Sequence, residues 1–346
     1  MDAALEQLRD LADRSEHARR NVLAAVQGLV SSLESPDDTL HRYGHLNLQT
    51  ATVQVGINLG LFKSLTEASE PLKVQDITDR AKADLQLTCK GSPACSFGLT
   101  APQYQCLPEL LKQTGYKTPV DATKTAFHLA FHTTLDPFAW FAQNPSYLAE
   151  FNTYHALRRQ PDATWLSVYP VEAEAAGWQA DQPLYVNMGG GIGQQCAQFK
   201  DKYPGINGRI ILQDLPHSVA KALPTPGVEN MAHNMFEPQP VAGAKFYHLR
   251  AVFHNHPPLR VRMLLETIKA AMNSESVLLV DEMILPEEKV NHMAASIDMT
   301  VLSAFASMER TESQWKTLFE DVGLRLAQTY KYSPLTYESV MDVRLP

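Results

Sequence analysis

The chain has 346 residues, 45% of them hydrophobic, and a formal net charge of −8, which gives room for two domains and a sizeable core. An acidic balance points away from nucleic acid and from an anionic membrane surface, and no apolar run reaches the ~20 residues of a membrane-spanning helix. Residues 1–20 are charged without an apolar centre, unlike a secretory signal, and Cys89, Cys95, Cys106 and Cys196 form no C-x-x-C pair, as expected of reduced thiols in a cytoplasmic protein.

The spacing of Leu5, Leu8, Leu11, Ala18, Val22 and Val26 predicts one amphipathic helix over residues 1–34. The run Glu34-Ser-Pro-Asp-Asp38 ends it. A second, mostly apolar helix is predicted over 46–61, ending at Gly60, and a short one over 74–81 with Asp76 near its start. Residues 85–107 hold three of the four cysteines and show no period; the helical pattern returns after Pro108. Helices follow at 125–131 and 137–159, the second anchored by Phe138, Trp140, Phe141, Tyr147, Phe151 and Tyr154. Such an aromatic stretch reads as core before it reads as pocket. A composition shift over 175–183 divides the chain into domains 1–175 and 176–346.

From Leu184 onward strands and helices alternate. Strands are predicted at 184–188, 209–213, 245–249 and 277–281, with a weaker one at 228–232. Helices are predicted at 194–203, 216–222, 259–273 and 312–322. This alternation implies an α/β parallel sheet covered on both faces. The tail differs. Residues 324–332 and 336–344 alternate apolar and polar side chains about Ser333-Pro-Leu335, as an antiparallel hairpin does.

The most informative stretch is Leu184-Tyr-Val-Asn-Met-Gly-Gly-Gly-Ile-Gly193, which reads as a buried strand breaking into glycines. A helical stretch and a second strand follow, and that strand ends on Asp214. Strand, Gly-rich turn, helix, strand and acid form the first half of a nucleotide-binding sheet. A dinucleotide fingerprint needs a glycine where Gln194 stands, and no Gly-Lys-Ser/Thr follows for a phosphate loop. The glycines run G-x-G-x-G through Gly189, Gly191 and Gly193, which resembles the class I S-adenosylmethionine (SAM) methyltransferases. The plainer alternative is a Gly-rich turn with no ligand; Asp214 at its distance argues against it.

Six further segments occur in order: Asp214-Leu-Pro216, Phe236-Glu-Pro-Gln-Pro240, Gly243-Ala-Lys-Phe-Tyr247, Leu249-Arg-Ala-Val-Phe-His254, Leu279-Val-Asp-Glu282 and Met308-Glu-Arg-Thr311. Together they resemble the caffeate and flavonoid O-methyltransferases, and most closely the fungal secondary-metabolite branch. The resemblance is strong over 184–343 and partial over 1–175. It implies a Rossmann-like methyltransferase sheet with a C-terminal antiparallel hairpin. An all-α dimerisation and substrate-lid domain would precede it, with a degenerate winged-helix segment shortened at 85–107.

It also implies roles for named residues. Gly189, Gly190, Gly191 and Gly193 pass beside the methionine part of SAM, and Asp214 with Leu215 meets the ribose. Asn234 and Met235 flank the adenine, and Arg250 is a cation near the cofactor. His254 is the catalytic base, and Glu282 and Glu309 hold its imidazole. The implied activity is O-methylation of a hydroxylated aromatic or polyketide-type metabolite by a homodimer, with no metal, nucleic acid or membrane involved.

The residue types suit this chemistry. A phenol titrates near ~10 and imidazole near ~6.5, so a neutral His can take the proton as the oxygen attacks. A carboxylate on the far ring nitrogen fixes the tautomer and stabilises the imidazolium. Each role has a bland rival: a lone His is more often structural, Glu282 can be a surface residue after a strand, and Glu309 can pair with Arg310. His256 and His292 suggest metal ligands only weakly, because no supporting Asp or Cys spacing accompanies them.

The chain departs from the family pattern at Asn187 and Asn255, where acids are usual, and at 85–107. Two other functions stay open: a SAM-dependent non-methylating step such as a pericyclic rearrangement or dehydration, and an inactive binding or scaffold homologue. Retention of His254 argues against the first of these.

Overall fold

A computed structural model describes residues 2–36, 38, 46, 60–68, 70, 76, 99–148, 151, 164–334 and 336–346. By its contacts the chain divides into two units, Met1–Phe97 and Gly98–Pro346.

In the first unit the helix expected over 1–34 is two helices, Asp2–Ala12 and Glu16–Leu33. Ser15 makes the break. Its backbone is extended, and its hydroxyl accepts the Ala18 amide at 3.1 Å, an N-cap that starts a new helix. Hydrophobic spacing carries across such an interruption, so periodicity alone does not reveal it. Leu23, Leu29, Val30 and Leu33 are exposed on the second helix. A short helix, Leu61–Thr66, begins where the 46–61 helix was expected to end, with Gly60 at φ +66 as its N-cap. The rest of 46–59, and the predicted helix at 74–81 except Asp76, lie outside the described residues.

The second unit holds the sheet. It also holds helices Ala101–Gln113, Ala126–Phe131 and Pro137–Gln143, which the sequence grouping placed with the N-terminal half. Helix Ala101–Gln113 overturns the expectation of helix only after Pro108: Pro102 sits at its start and Pro108 inside it. A proline suits a first turn, and an internal one removes a donor without always ending the helix. The irregular segment expected at 85–107 otherwise lies outside the described residues.

Thr125 and His128 form a capping box that opens Ala126–Phe131. Phe127, Phe131, Trp140 and Phe141 then pack as an aromatic cluster, with Phe131 and Trp140 centroids 4.6 Å apart. The helix expected over 137–159 breaks at Asn144, which turns its side chain back onto the Trp140 carbonyl, and helix resumes over 145–148. Phe138 stacks on Phe305 at 5.5 Å, at the end of helix His292–Phe305. Sequence reasoning missed that helix.

The strands are β1 (Pro183–Met188), β2 (Arg209–Asp214), β3 (Val228–Ala232), β4 (Phe246–Arg250), β5 (Val277–Leu285), β6 (Arg310–Thr311), β7 (Arg325–Ser333) and β8 (Glu338–Arg344). Their order is β3-β2-β1-β4-β5-β8-β7, with β6 paired to β5. Pairings are parallel from β3 to β5, and β8 is antiparallel to both β5 and β7. β1, β4 and β5 are buried almost throughout, as expected of strands covered on both faces.

Val261, Leu264, Leu265 and Ile268 of helix Pro258–Ala271, with Trp315 and Phe319 of helix Glu312–Asp321, pack one face. Trp165, Tyr169, Tyr185 and Phe199 pack the other. Burying each aromatic contributes roughly 2–3 kcal/mol. The chain passes β1, β2 and β3 in turn and only then crosses back to β4. The strand order therefore reverses between β1 and β4, and an open α/β sheet takes its ligand in the crevice beyond the carboxyl ends there. Among the described residues no helix is long and apolar enough to cross a membrane.

Candidate active site

Two groups of predicted residues meet at this crevice. The first is the turn after β1. Gly189, Gly191 and Gly193 have φ of +64, +61 and +90, a conformation that glycine adopts freely. A Cβ on Gly190 would fall on the Asn187 carboxamide and on Leu212. The turn is tied to the end of β2: the Gly190 amide donates to the Gln213 carbonyl at 3.2 Å and the Gly191 amide to Asp214 Oδ2 at 2.8 Å. The Leu215 amide donates to Asp214 Oδ1 at 2.7 Å. Each carboxylate oxygen therefore holds one backbone amide and keeps a lone pair for a further donor such as a ribose hydroxyl.

Met235 sits against Gly189: its Cε would be 3.0 Å from an added Cβ there. Asn234 is exposed and uses its Oδ1 to accept the Phe236 amide at 3.2 Å. Phe236 lies under the Arg260 guanidinium at 4.0 Å. Arg250 is placed differently. Its guanidinium donates to Asp281 Oδ2 at 3.0 Å, Tyr332 at 2.6 Å and Glu338 at 3.3 Å. These partners lie on β5, β7 and β8, and Arg250 lines the same cavity as His254.

Sequence reasoning missed a buried polar chain behind these residues. Tyr185 OH meets His248 Nδ1 at 2.7 Å, and His248 Nε2 lies 3.4 Å from Asp281 Oδ2. Burial pushes the His248 pKa down, although Asp281 favours its charged form. Asn187, the unusual residue before the glycines, packs its amide against His248 at 3.3 Å. Asp281 was adjacent to a quoted site residue, but its partners are far away in sequence.

The second group follows β4. Ala251 takes φ +52, a strain on the order of 1–3 kcal/mol, and the chain then enters the 3-10 turn Phe253–Asn255 that carries His254. Glu309 Oε1 meets His254 Nδ1 at 2.7 Å. Glu282 Oε2 faces the same ring nitrogen at the longer ion-pair distance of 3.9 Å. Glu282 Oε1 accepts the Val252 and Phe253 amides at 3.0 and 2.8 Å, while Oε2 is buried without a hydrogen-bond partner. Glu282 thus holds the turn with one oxygen and faces the imidazole with the other, while Glu309 grips the imidazole directly. Arg310 forms no ion pair with Glu309 among the described contacts, contrary to the plainer reading of that acid.

Burial alone would lower the His254 pKa, but the carboxylates of Glu309 and Glu282 outweigh it and lift it to about 9. Burial raises the Glu282 carboxyl, against the adjacent imidazole. His254, Glu282 and Glu309 place ligand-type atoms within 4.8 Å of one another. A cation there would have to displace the Nδ1–Glu309 hydrogen bond. His256 is half-buried and its pKa is pushed down to about 3, chiefly by desolvation. The His292 side chain lies outside the described residues. Arg250, His254, Glu282, Met283, Ile297 and Glu309 share one cavity.

A parallel sheet ending in an antiparallel hairpin, with a glycine turn after β1 tied to an acid ending β2, defines the class I methyltransferase architecture. The description "O-methyltransferase domain" matches residues 180–325. The O-methyltransferase ucdC of Aspergillus ustus is 33% identical, with 99% of this chain and 98% of that protein covered. Its alignment spans 376 positions, more than this chain's 346 residues, so the relative carries positions without a counterpart here. A solved structure of LepI with SAM superposes with a TM-score of 0.91 at 31% identity, covering 100% of this chain and 98% of that one. Another, described as a pericyclic reaction enzyme, gives a TM-score of 0.91 at 31% identity, covering 100% and 99%. The chain belongs to the SAM-dependent O-methyltransferase family, and its cofactor is SAM.

Proposed function

We propose that this protein methylates a hydroxyl of a small aromatic or polyketide-type secondary metabolite, with His254 as general base. The observation that carries this reading is the 2.7 Å bond from His254 Nδ1 to Glu309 at a cavity that His254 lines. With Nδ1–H committed to the carboxylate, Nε2 is the ring nitrogen left to accept a proton.

Gly189, Gly190, Gly191, Gly193 and Asp214 would hold SAM, with Leu215, Asn234 and Met235 around its nucleoside. Bound SAM supplies an electrophilic methyl group. His254 removes the hydroxyl proton at Nε2, and Glu309 stabilises the resulting imidazolium. A base lifted to about 9 takes a proton from a phenol of pKa ~10 at little cost, which suits general base catalysis. Arg250, tied to Asp281 and Glu338, would be the cation near the cofactor. Holding the hydroxyl in line within a water-poor pocket supplies much of the remaining acceleration.

A second reading, a SAM-dependent rearrangement without methyl transfer, is favoured by the structural likeness to a pericyclic reaction enzyme. Incubation with SAM and a panel of phenolic and enolic metabolites separates the two. Methylated product with S-adenosylhomocysteine supports the first reading; substrate isomerisation without S-adenosylhomocysteine supports the second and removes the first.

The same reading includes a homodimer through the N-terminal helices. Its support is the exposed apolar side of helix Glu16–Leu33, with Leu23, Leu29, Val30 and Leu33, since a free surface rarely keeps so apolar a face. Light scattering tests it: twice the chain mass supports the dimer, and a monomer overturns it.

A further inference from the structure

We infer that Arg310 is a positioning residue for His254, fixing the turn that carries it through the backbone carbonyls on both of its flanks. The inference rests on the reading of His254 as the base. Arg310 Nη2 donates to the His256 carbonyl at 3.0 Å, and Nη1 reaches the Phe253 and Met308 carbonyls at 3.4 and 3.3 Å. The Ser307 hydroxyl donates to the same His256 carbonyl at 2.6 Å.

The Arg310 side chain is only 2% exposed. A buried guanidinium is costly unless its donors are satisfied, and here backbone carbonyls satisfy them. Its guanidinium also lies 5.2 Å from the Trp315 ring centroid, a distance at which the cation is attracted to the ring face. Glu282 binds the amides of the turn and Arg310 its carbonyls, so two buried side chains of opposite charge hold one short segment from two sides. Lysine cannot replace this grip, because only the planar guanidinium presents a rigid fork of donors.

The charged and titratable groups around His254 are Glu282 from β5, Glu309 and Arg310 at β6, Asp298 behind Glu309, Arg250 at the end of β4, and neighbouring His256, which stays neutral. Arg310→Lys removes the fork. Arg310 lowers the His254 pKa, so a buried lysine that lost its proton would raise the midpoint, whereas lost positioning against Glu309 lowers it.

The experiment is nitrogen-detected histidine NMR on the whole protein, with the His254 signal identified by its loss in His254→Gln. Folding of each variant is checked by SAM-binding stoichiometry. In the parental protein the downfield proton shared with Glu309 is present and His254 titrates near 9. In Arg310→Lys that proton is expected to broaden or vanish and the midpoint to fall toward ~6.5. Ser307→Ala is expected to shift both in the same direction by less. A purely structural role would lower the melting temperature and leave proton and midpoint alone, and that result in folded Arg310→Lys overturns the inference. Should Arg310→Lys fail to fold, Ser307→Ala decides by the same two signals. A parental protein that methylates nothing, beside an Arg310→Lys imidazole that has loosened, would remove the base reading and leave the positioning role intact.

Discussion

The glycine-turn side and the His254 side of the crevice are built by opposite means. At the glycine turn the working groups are backbone amides and empty space. Gly190 has no room for a Cβ, and Gly191 offers its amide to Asp214. Around His254 the working groups are buried charges brought together from β5, the segment beside β6 and the turn after β4. A site made from backbone shape fails when a side chain is added. A site made from charge fails when one is removed, and it responds to pH.

The largest contrast is expected at Gly190. Gly190→Val forces Asn187 and Leu212 aside, and SAM binding by calorimetry should be lost. Retained affinity would mean that the turn is not the cradle. His254→Ala should leave SAM affinity within about twofold and lower turnover by ~10²–10⁴. Parental turnover would place the base elsewhere.

Asp214→Ala should weaken SAM binding by ~1.5–3 kcal/mol, the range for a hydrogen bond to a charged acceptor. Unchanged affinity would detach Asp214 from the cofactor. The smallest effect is on stability. The folded His254 pKa lies above its unfolded value of ~6.5, so its contribution is present below that pH. It is lost as pH rises through about 9. Thermal unfolding should show the decline over that window, flattened in His254→Gln; parallel curves would contradict the ion-pair account.

The same contrast explains what the sequence could tell. The glycine turn and Asp214 are local, since strand, turn and acid occur within one stretch, so spacing and backbone requirements expose them. The five parallel strands and the final hairpin were legible because apolar runs and alternation are local as well. The charge cluster was not. His254 and Glu309 are 55 residues apart, and only resemblance to a family linked them. The second role of Glu282 escaped because a sequence does not show that a carboxylate beside a ring also binds two backbone amides. Helix His292–Phe305 escaped because small and polar residues among its apolar ones blur a 3.6-residue period. The break at Ser15 escaped because hydrophobic spacing runs on through a local N-cap, and the helix through Pro108 escaped because an internal proline reads as a stop.

The most direct test of the central claim is the pH dependence of the methyl-transfer rate under single turnover. It uses a hydroxylated substrate found in the panel and compares parental protein with His254→Gln. The parental rate should rise with pH and level off near 9 as the imidazole loses its proton, and the variant should be slow without that inflection. A parental rate independent of pH, or the same inflection in His254→Gln, would contradict His254 as the base.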